Sequence, residues 1–336
     1  MKAFLERIIA GHDLTRAEAH ELFGRIMSGQ VPEAVLGAIL AALAAKGETV
    51  DEIVGAAEAM REACTPIQCP PGAVDTCGTG GDGISTFNVS TTAAIIAAAA
   101  GAVVAKHGNR TNTRVSGSAE VLAALGVNIE AAPAVVERCL QRARVGFLYA
   151  RLLHPAMKHA ASVRQAMGVP TIFNVLGPLT NPAGVRRQVL GVNRPELTET
   201  LAVALRELAA VRAWVVHGLD GLCDLTITAE TQVTELRDGT IRTFRVRAED
   251  CGLAAGTLSD LAVDSDQASA SAIRGILSGE PGRRRDQAVL NAAAVLVVAG
   301  VAGDLRDGAV RAMQAVDSGN AARTLDTLVE ESNRTG

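Results

Sequence analysis

The stretch Asp75–Arg110, DTCGTGGDGISTFNVSTTAAIIAAAAGAVVAKHGNR, decides how the chain is read. Together with the two residues before it, its start spells AVDTC, a short strand. A glycine-rich turn, Gly78–Gly83, follows, and Asn88, Ser90 and Thr91 then open an alanine-rich helix that runs to Gly101. AVVA is a second strand, and it empties into the basic turn Lys106-His107-Gly108-Asn109-Arg110. Strand, helix, strand is a crossover unit, the repeating piece of a parallel sheet. Ligands of such sheets sit at the carboxyl ends of the strands, where both turns fall.

The chemistry of these turns favours an anion. GTGGDG fits the spacing G-x-G-x-x-G, but a dinucleotide site wants an acid at the end of the next strand, and here that strand ends in Lys106 and His107. A P-loop is excluded because Ile84 stands where lysine is required. What glycine does supply is close approach of the backbone and its N–H groups to an anion. The helix start adds unpaired N–H groups and the positive end of a dipole. Donors and charge just after a buried strand are costly without an anion to satisfy them. Each turn alone reads equally as a tight connection or a cap; together they point to a phosphorylated sugar.

Outward from this stretch, residues 1–67 read as four helices. Thr15 with Glu18 and Thr49 with Glu52 have capping-box spacing, and Pro32 suits a first helical position. The PIQCPPG segment at Pro66–Gly72 is a linker. Beyond it strands and helices alternate: a helix ended by Gly126, then VNI as a strand, a helix from Pro133, and GFLYA as a strand. HPAMKHAASVRQAMG, His154–Gly168, is helical, and TIFNVLGPLTNPAG is expected as a loop. QVLGV and RAWVVHG are buried strands around a helix from Pro195, and VTEL-RDGT-IRTFRV is a hairpin about Asp238-Gly239. The remainder, from about 263, is helical, with GRRRD at Gly282–Asp286 a solvated loop or a helix start.

Two further constellations carry chemistry. Arg164 shares a helical face with Met157, Ala161 and Gly168, an apolar setting in which a guanidinium either makes an internal ion pair or, with His154, grips a carboxylate. Asp220–Asp224, DGLCD, follows a strand and either supplies oxygen ligands for magnesium or is an ordinary turn.

Composition bounds the partners. The chain has 336 residues, 48% hydrophobic, with a net charge of -4, and only 2% aromatic residues. That argues against a nucleic-acid backbone reader and against base-stacking platforms. Six cysteines without C-x-x-C spacing read as free thiols of a reducing compartment. The N-terminus does not read as a signal peptide, and the apolar tract around Gly101 is shorter than the roughly 20 residues a bilayer span needs. The expectation is a cytoplasmic protein without membrane or nucleic-acid partners.

The motifs GTGGDG, TFNVST, KHGNR, SGSAEVLAALG, HPAMKH, VRQAMG and FNVLGPLTNPAG, in this order along nearly the whole chain, resemble those of the anthranilate phosphoribosyltransferase family. The resemblance implies an α/β fold of the nucleoside phosphorylase/phosphoribosyltransferase type: a small all-helical N-terminal domain hinged to a large α/β domain with a mostly parallel central sheet. The helical domain would be residues 1–67 with a returning segment near 166–185, and the α/β domain 72–165 and 186–336. It further implies a homodimer formed through the helical domain and transfer of phosphoribose from phosphoribosyl pyrophosphate (PRPP) to anthranilate, with Mg²⁺. The PRPP residues implied are Gly78, Gly81, Asp82 and Thr86 of the glycine turn and Asn88, Val89, Ser90 and Thr91 of the helix start. Lys106, His107, Gly108, Asn109 and Arg110, the continuation Thr111, Asn112, Thr113 and Arg114, and Ser118 complete that set. Anthranilate would meet Gly78, His107, Asn109, His154 and Arg164, and the metal would meet Ser90 and Asp224. A relative with another acceptor, such as a pyrimidine nucleoside phosphorylase, and a non-catalytic relative are the alternatives.

Two departures stand out. The family carries Asp-Glu where this chain has Cys223 and Asp224, and it has a Ser-rich stretch and a Lys where this chain has Thr111–Val115. A thiol is a poor magnesium ligand, which puts a second metal ion in doubt. Cys223→Asp is therefore expected to raise turnover at limiting Mg²⁺; an unchanged magnesium titration would refute this.

Overall fold

The computed structural model describes residues 1–110 and 116–334. The first four helices are α1 (Lys2–Ile9), α2 (Arg16–Met27), α3 (Glu33–Lys46) and α4 (Val50–Glu62). Both capping boxes form: Glu18 N donates to Thr15 Oγ1 while Thr15 N donates to the Glu18 carboxylate, and Thr49 with Glu52 repeats the exchange. Pro32 stands one position earlier than expected, as the N-cap of α3 with extended ψ, where its missing N–H again costs nothing. Glu52 is buried, and its carboxylate accepts from Leu14 N, Thr49 N and Lys46 Nζ, which is what makes a buried charge tolerable.

The remaining elements run β1 (Val74–Gly78), α5 (Val89–Ala99), β2 (Val104–Gly108), α6 (Ser118–Ala124), α7 (Pro133–Arg142) and β3 (Val145–Tyr149). Then come α8 (Ala150–Leu153), α9 (Lys158–Met167), α10 (Phe173–Leu179), β4 (Arg187–Gly191), α11 (Leu197–Glu207), β5 (Arg212–Gly218), β6 (Thr231–Arg237) and β7 (Thr240–Val246). Five helices close the described chain: α12 (Leu258–Leu261), α13 (Asp266–Leu277), α14 (Arg283–Ala299), α15 (Leu305–Asp317) and α16 (Asn320–Asn333). The strands form one sheet in the order β3-β2-β1-β4-β5-β6-β7. The first five are parallel; β6 and β7 are antiparallel and joined at Asp238-Gly239, both with positive φ as a tight hairpin requires.

Alternation along the strands builds two different cores. Val74, Val104, Phe147, Val189 and Val216 face a large core with α5 and α14. Leu190, Val192, Ala213 and Val215 face the opposite way, into a core shared with α2, α3, α4 and α11. The N-terminal helices thus pack on one face of the sheet, and Ala160 and Val163 of α9 with Phe173, Leu176 and Leu179 of α10 belong to the same core.

Two expectations fail. VNI at Val127–Ile129 is not a strand: Val127 N donates to Leu122 O, closing the end of α6, and Ile129 turns into the core. FNVLGPL, expected as loop, is helix α10 with Pro178 inside it. Its apolar residues Phe173, Leu176 and Leu179 fall at helical spacing, and Gln188 Nε2 donates to the Pro178 carbonyl that the helix leaves open. GRRRD is the start of α14, with Arg283 paired to Asp286 and Arg285 to Asp317. Among the described residues, no helix is long and apolar enough to cross a membrane.

Helices α2 and α4 meet backbone to backbone at Gly55, where a Cβ would overlap the Arg16 carbonyl. Gly55→Ala is expected to destabilise the fold by about 3 kcal/mol, read by denaturant unfolding, despite alanine's better helix propensity.

Candidate functional site

Four of the five parallel strands end in glycine, at Gly78, Gly108, Gly191 and Gly218. At Gly191 the reason is direct: a Cβ would overlap the carbonyl of Cys223, so the loop after β5 can lie on the end of β4 only because that end is bare. At Gly108 a Cβ would overlap Ser118 Oγ, which donates instead to Asn109 O at 3.1 Å. The bare ends at Gly78 and Gly108 border a cleft of about 350 Å³.

One wall of the cleft suits an anion. Asn88 is the N-cap of α5, its Oδ1 accepting from Thr91 N at 3.1 Å, so the positive end of the helix opens at Ser90. Lys106 Nζ donates to Ser90 Oγ at 3.0 Å and to Thr76 O at 2.8 Å. Burial lowers the Lys106 pKa, against the attraction of Asp75 and Asp224. Thr86 and Thr91 are buried nearby, and their hydroxyls have no hydrogen-bond partner among the described residues.

The opposite wall differs. His107 follows Lys106, so pleating turns it to the other face of the sheet, beneath α10. Its Nε2 lies 3.2 Å from His154 Nε2. Burial drives His107 down to about 3, helped by the neighbouring His154, and burial alone drives His154 down to about 4. Arg164 of α9 stands 5.1 Å from the centre of the Phe173 ring, which packs edge-on against Phe23 of α2. Burial lowers the Arg164 pKa, and no carboxylate among the described residues pairs with it. The ion-pair reading of Arg164 thereby falls away.

Gly78, Asn88, Ser90, Lys106, His107 and Gly108 line the cleft, as do Asn109, Arg110, Ser118, Arg164, Cys223 and Asp224. Gly81, Asp82, Thr86, Val89, Thr91 and His154 are not part of that lining: Gly81 is exposed, Thr86, Thr91 and His154 are buried, and Val89 belongs to the core. Thr111, Asn112, Thr113 and Arg114 lie outside the described residues. Asp220 is a turn residue: its carboxylate accepts from Leu222 N and from the hydroxyls of Thr226 and Thr228. Asp82 accepts from Cys223 N at 3.2 Å, and Cys223 Sγ lies 3.6 Å from Gly80 O, so the glycine turn is tied to the loop after β5.

Residues the sequence reading passed over include Asp75, buried in β1, whose Oδ1 accepts from His107 N at 3.0 Å. Gln188 Nε2 reaches its Oδ2 at 3.4 Å, and Asn181 Nδ2 donates to Ala105 O at 2.9 Å. An acid between Val74 and Thr76 inside a strand was the available signal.

Ser90 and Asp224 bring a hydroxyl and a carboxylate to one cleft, whereas no group of three or more His, Cys, Asp or Glu among the described residues could hold a metal. That donor set fits Mg²⁺ carried largely by water and substrate phosphates; it does not fit a protein-only cage.

A family model described as "Glycosyl transferase family, helical bundle domain" matches residues 2–64, and "Glycosyl transferase family, a/b domain" matches residues 70–322. An anthranilate phosphoribosyltransferase from Methylocella silvestris is 50% identical over 99% of this chain and 96% of its own length. This chain belongs to the anthranilate phosphoribosyltransferase family. The family relative from Symbiobacterium thermophilum is 48% identical over 99% of this chain and 98% of its own. The crystal structure of the Thermus thermophilus enzyme superposes with a TM-score of 0.94 at 39% identity, covering 98% of this chain and 99% of that one. The Saccharomyces cerevisiae enzyme in complex with PRPP and Mg gives 0.90 at 26% identity over 98% and 97%.

The depressed histidines set an acid limb of stability. Below pH about 6.5 the unfolded chain takes up protons that folded His107 and His154 refuse. Their contribution is therefore full above that pH and lost as pH falls towards their folded values, by about 1.4 kcal/mol per unit for each. Asp75, raised by burial, acts in the opposite sense. Unfolding free energies at pH 7 and 5.5 are expected to show the loss, and His154→Asn to halve the share carried by the histidines.

Proposed function

We propose that this chain transfers the phosphoribosyl group of PRPP to the amine of anthranilate, releasing pyrophosphate and N-(5-phosphoribosyl)anthranilate. The observation that carries the reading is the pairing, across one cleft, of an anion cradle with an acid-free guanidinium on an aromatic ring. The glycine turn, the start of α5 and Lys106 receive the phosphates, with Asn109, Arg110 and Ser118 beside them. Arg164 takes the acceptor's carboxylate as a two-pronged donor, and His107 and Phe173 wall its ring. A guanidinium without an acid favours a carboxylate-bearing acceptor over a neutral pyrimidine.

Catalysis rests on positioning and charge. Arg164 and the imidazole wall fix the amine opposite the anomeric carbon. Lys106 and the N–H groups of α5 face the oxygen on which negative charge grows as pyrophosphate departs. Ser90 and Asp224 would hold Mg²⁺, which when bound neutralises part of that charge. Cys223 leaves this set with a single carboxylate.

The domain assignment follows the same reading: residues 1–67 with about 166–185 form the helical body, and 72–165 with 186–336 the sheet domain. Arg164 falls just on the sheet-domain side of that division, but its helix α9 packs with the helices through Ala160 and Val163, as α10 does through Phe173, so closure of the helical body on the cradle would bring both walls together. A homodimer through the helical body accords with Ile9, 68% exposed at the end of α1. Six free cysteines accord with a cytoplasmic setting.

The test mixes protein, Mg²⁺, PRPP and anthranilate and follows the loss of anthranilate fluorescence; no loss at any magnesium level would refute the proposal. Arg164→Ala is expected to raise KM for anthranilate about 10- to 100-fold, the worth of a charged hydrogen-bond pair. An unchanged KM would remove Arg164 from the acceptor site.

A further inference from the structure

Helix α10 is poorly equipped to hold its own place. Its seven residues, FNVLGPL, fall short of the about 12 that a helix needs to stand alone in water. Gly177 and Pro178 are weak helix formers, and Pro178 has no N–H to give to the turn before it. Yet α10 brings Phe173, Asn174, Gly177 and Pro178 to the cleft, and the Phe173 ring lies under the Arg164 guanidinium. Whatever fixes α10 therefore fixes that wall.

The last carbonyls of a helix find no partner within it, and here each of the final three has a donor. Gly177 O accepts from Thr180 N and Oγ1, Pro178 O from Gln188 Nε2 at 2.7 Å, and Leu179 O from Arg61 Nε at 2.7 Å. Thr180 directly follows the helix and Gln188 lies in β4, whereas Arg61 comes from the last turn of α4, 118 residues away in sequence. Its Nη1 also donates to Leu208 O, just past the end of α11, at 3.4 Å. Glu58, the carboxylate acting on Arg61, has both oxygens taken by Arg16. The charge of Arg61 thus rests on two helix C-termini, the ends where a cation is favoured. A guanidinium suits this place better than an ammonium, because its planar fork holds two acceptors at once and stays charged when buried.

Resting on the proposed transfer, we infer that Arg61, which does not line the cleft, is a positioning residue for the acceptor. By pinning the end of α10 to α4 and α11, it sets where Phe173 and Pro178 stand, and through Phe173 it steadies Arg164. The phosphate cradle is built on β1, α5 and β2 and does not hang from this pin. Loosening α10 therefore weakens the hold on the acceptor and spares the hold on PRPP.

The experiment compares wild type, Arg61→Ala and Arg61→Lys with Mg²⁺, varying anthranilate at saturating PRPP and then the reverse. Arg61→Ala is expected to raise KM for anthranilate about 10-fold, the worth of one charged hydrogen bond, with KM for PRPP within about twofold of wild type. Methylguanidinium, at concentrations too low to unfold the enzyme, should enter the space left by the side chain and restore part of the loss. Arg61→Lys keeps the charge and one donor, so its rise should be smaller and insensitive to methylguanidinium; it decides the matter if the alanine variant does not fold. Hydrogen exchange without substrates should be faster than wild type in α10 and unchanged in α5, a readout independent of turnover. An anthranilate KM within about twofold of wild type in the folded variants, or parallel rises for both substrates, would overturn the inference while the transfer reading stands. So would a rise in Arg61→Ala that methylguanidinium leaves untouched, or unchanged exchange in α10. A wild type that consumes no anthranilate would overturn the reading and, with it, the inference.

Discussion

Asp75, the second residue of β1, has no exposed surface, and from there it acts on residues of both walls of the cleft. Its carboxylate accepts from the backbone of His107, takes a long contact from Gln188, and attracts the ammonium of Lys106. Burying a charge is costly, and the arrangement survives because each of these groups is itself buried and needs what Asp75 supplies. The same Gln188 holds the Pro178 carbonyl, and Asn181 holds Ala105, so the polar lattice runs from the sheet into α10 and the turn after it. Positions of the cradle and of the acceptor wall are therefore set by one buried network.

Pleating then divides the labour. Lys106 and His107 are neighbours in sequence, yet one reaches Ser90 on the α5 face and the other meets His154 on the opposite face. In the proposed transfer, a two-residue segment of one strand would thus serve an anion on one side and an aromatic acceptor on the other. The helices roof only the second side, where Phe23, Phe173 and Arg164 form a continuous stack. Helical packing reaches the chemistry through that stack.

Much of this was legible in the sequence. Period-two and helical patterns placed nearly every strand and helix, and the glycine turn, helix start and basic turn that cluster in sequence do line one cleft. What escaped has physical reasons. Helix α10 hid behind proline, glycine and asparagine, whose turn propensity was overridden by burial of Phe173, Leu176 and Leu179. Asp75 was invisible as a functional group because its partners, Gln188 and Asn181, are more than a hundred residues away in sequence. The choice between turn and metal ligand at Asp220 turned on Thr226 and Thr228, whose hydroxyls fold back only once the loop exists.

Cys223 shows how tightly the loop after β5 is constrained. Its backbone packs on the bare end of β4 at Gly191, and its N–H is held by Asp82 of the glycine turn. The loop is therefore held largely by main-chain contacts, and the thiol, which stands where the family has a carboxylate, lies 3.6 Å from Gly80 O. Its cost falls on charge instead: Asp224 is left as the one carboxylate of the pair, facing Lys106. With fewer fixed negative charges, the cleft presents a more positive field to a polyphosphate and a weaker one to a free cation. Metal and substrate should then arrive together, the ion held chiefly by the phosphates it accompanies.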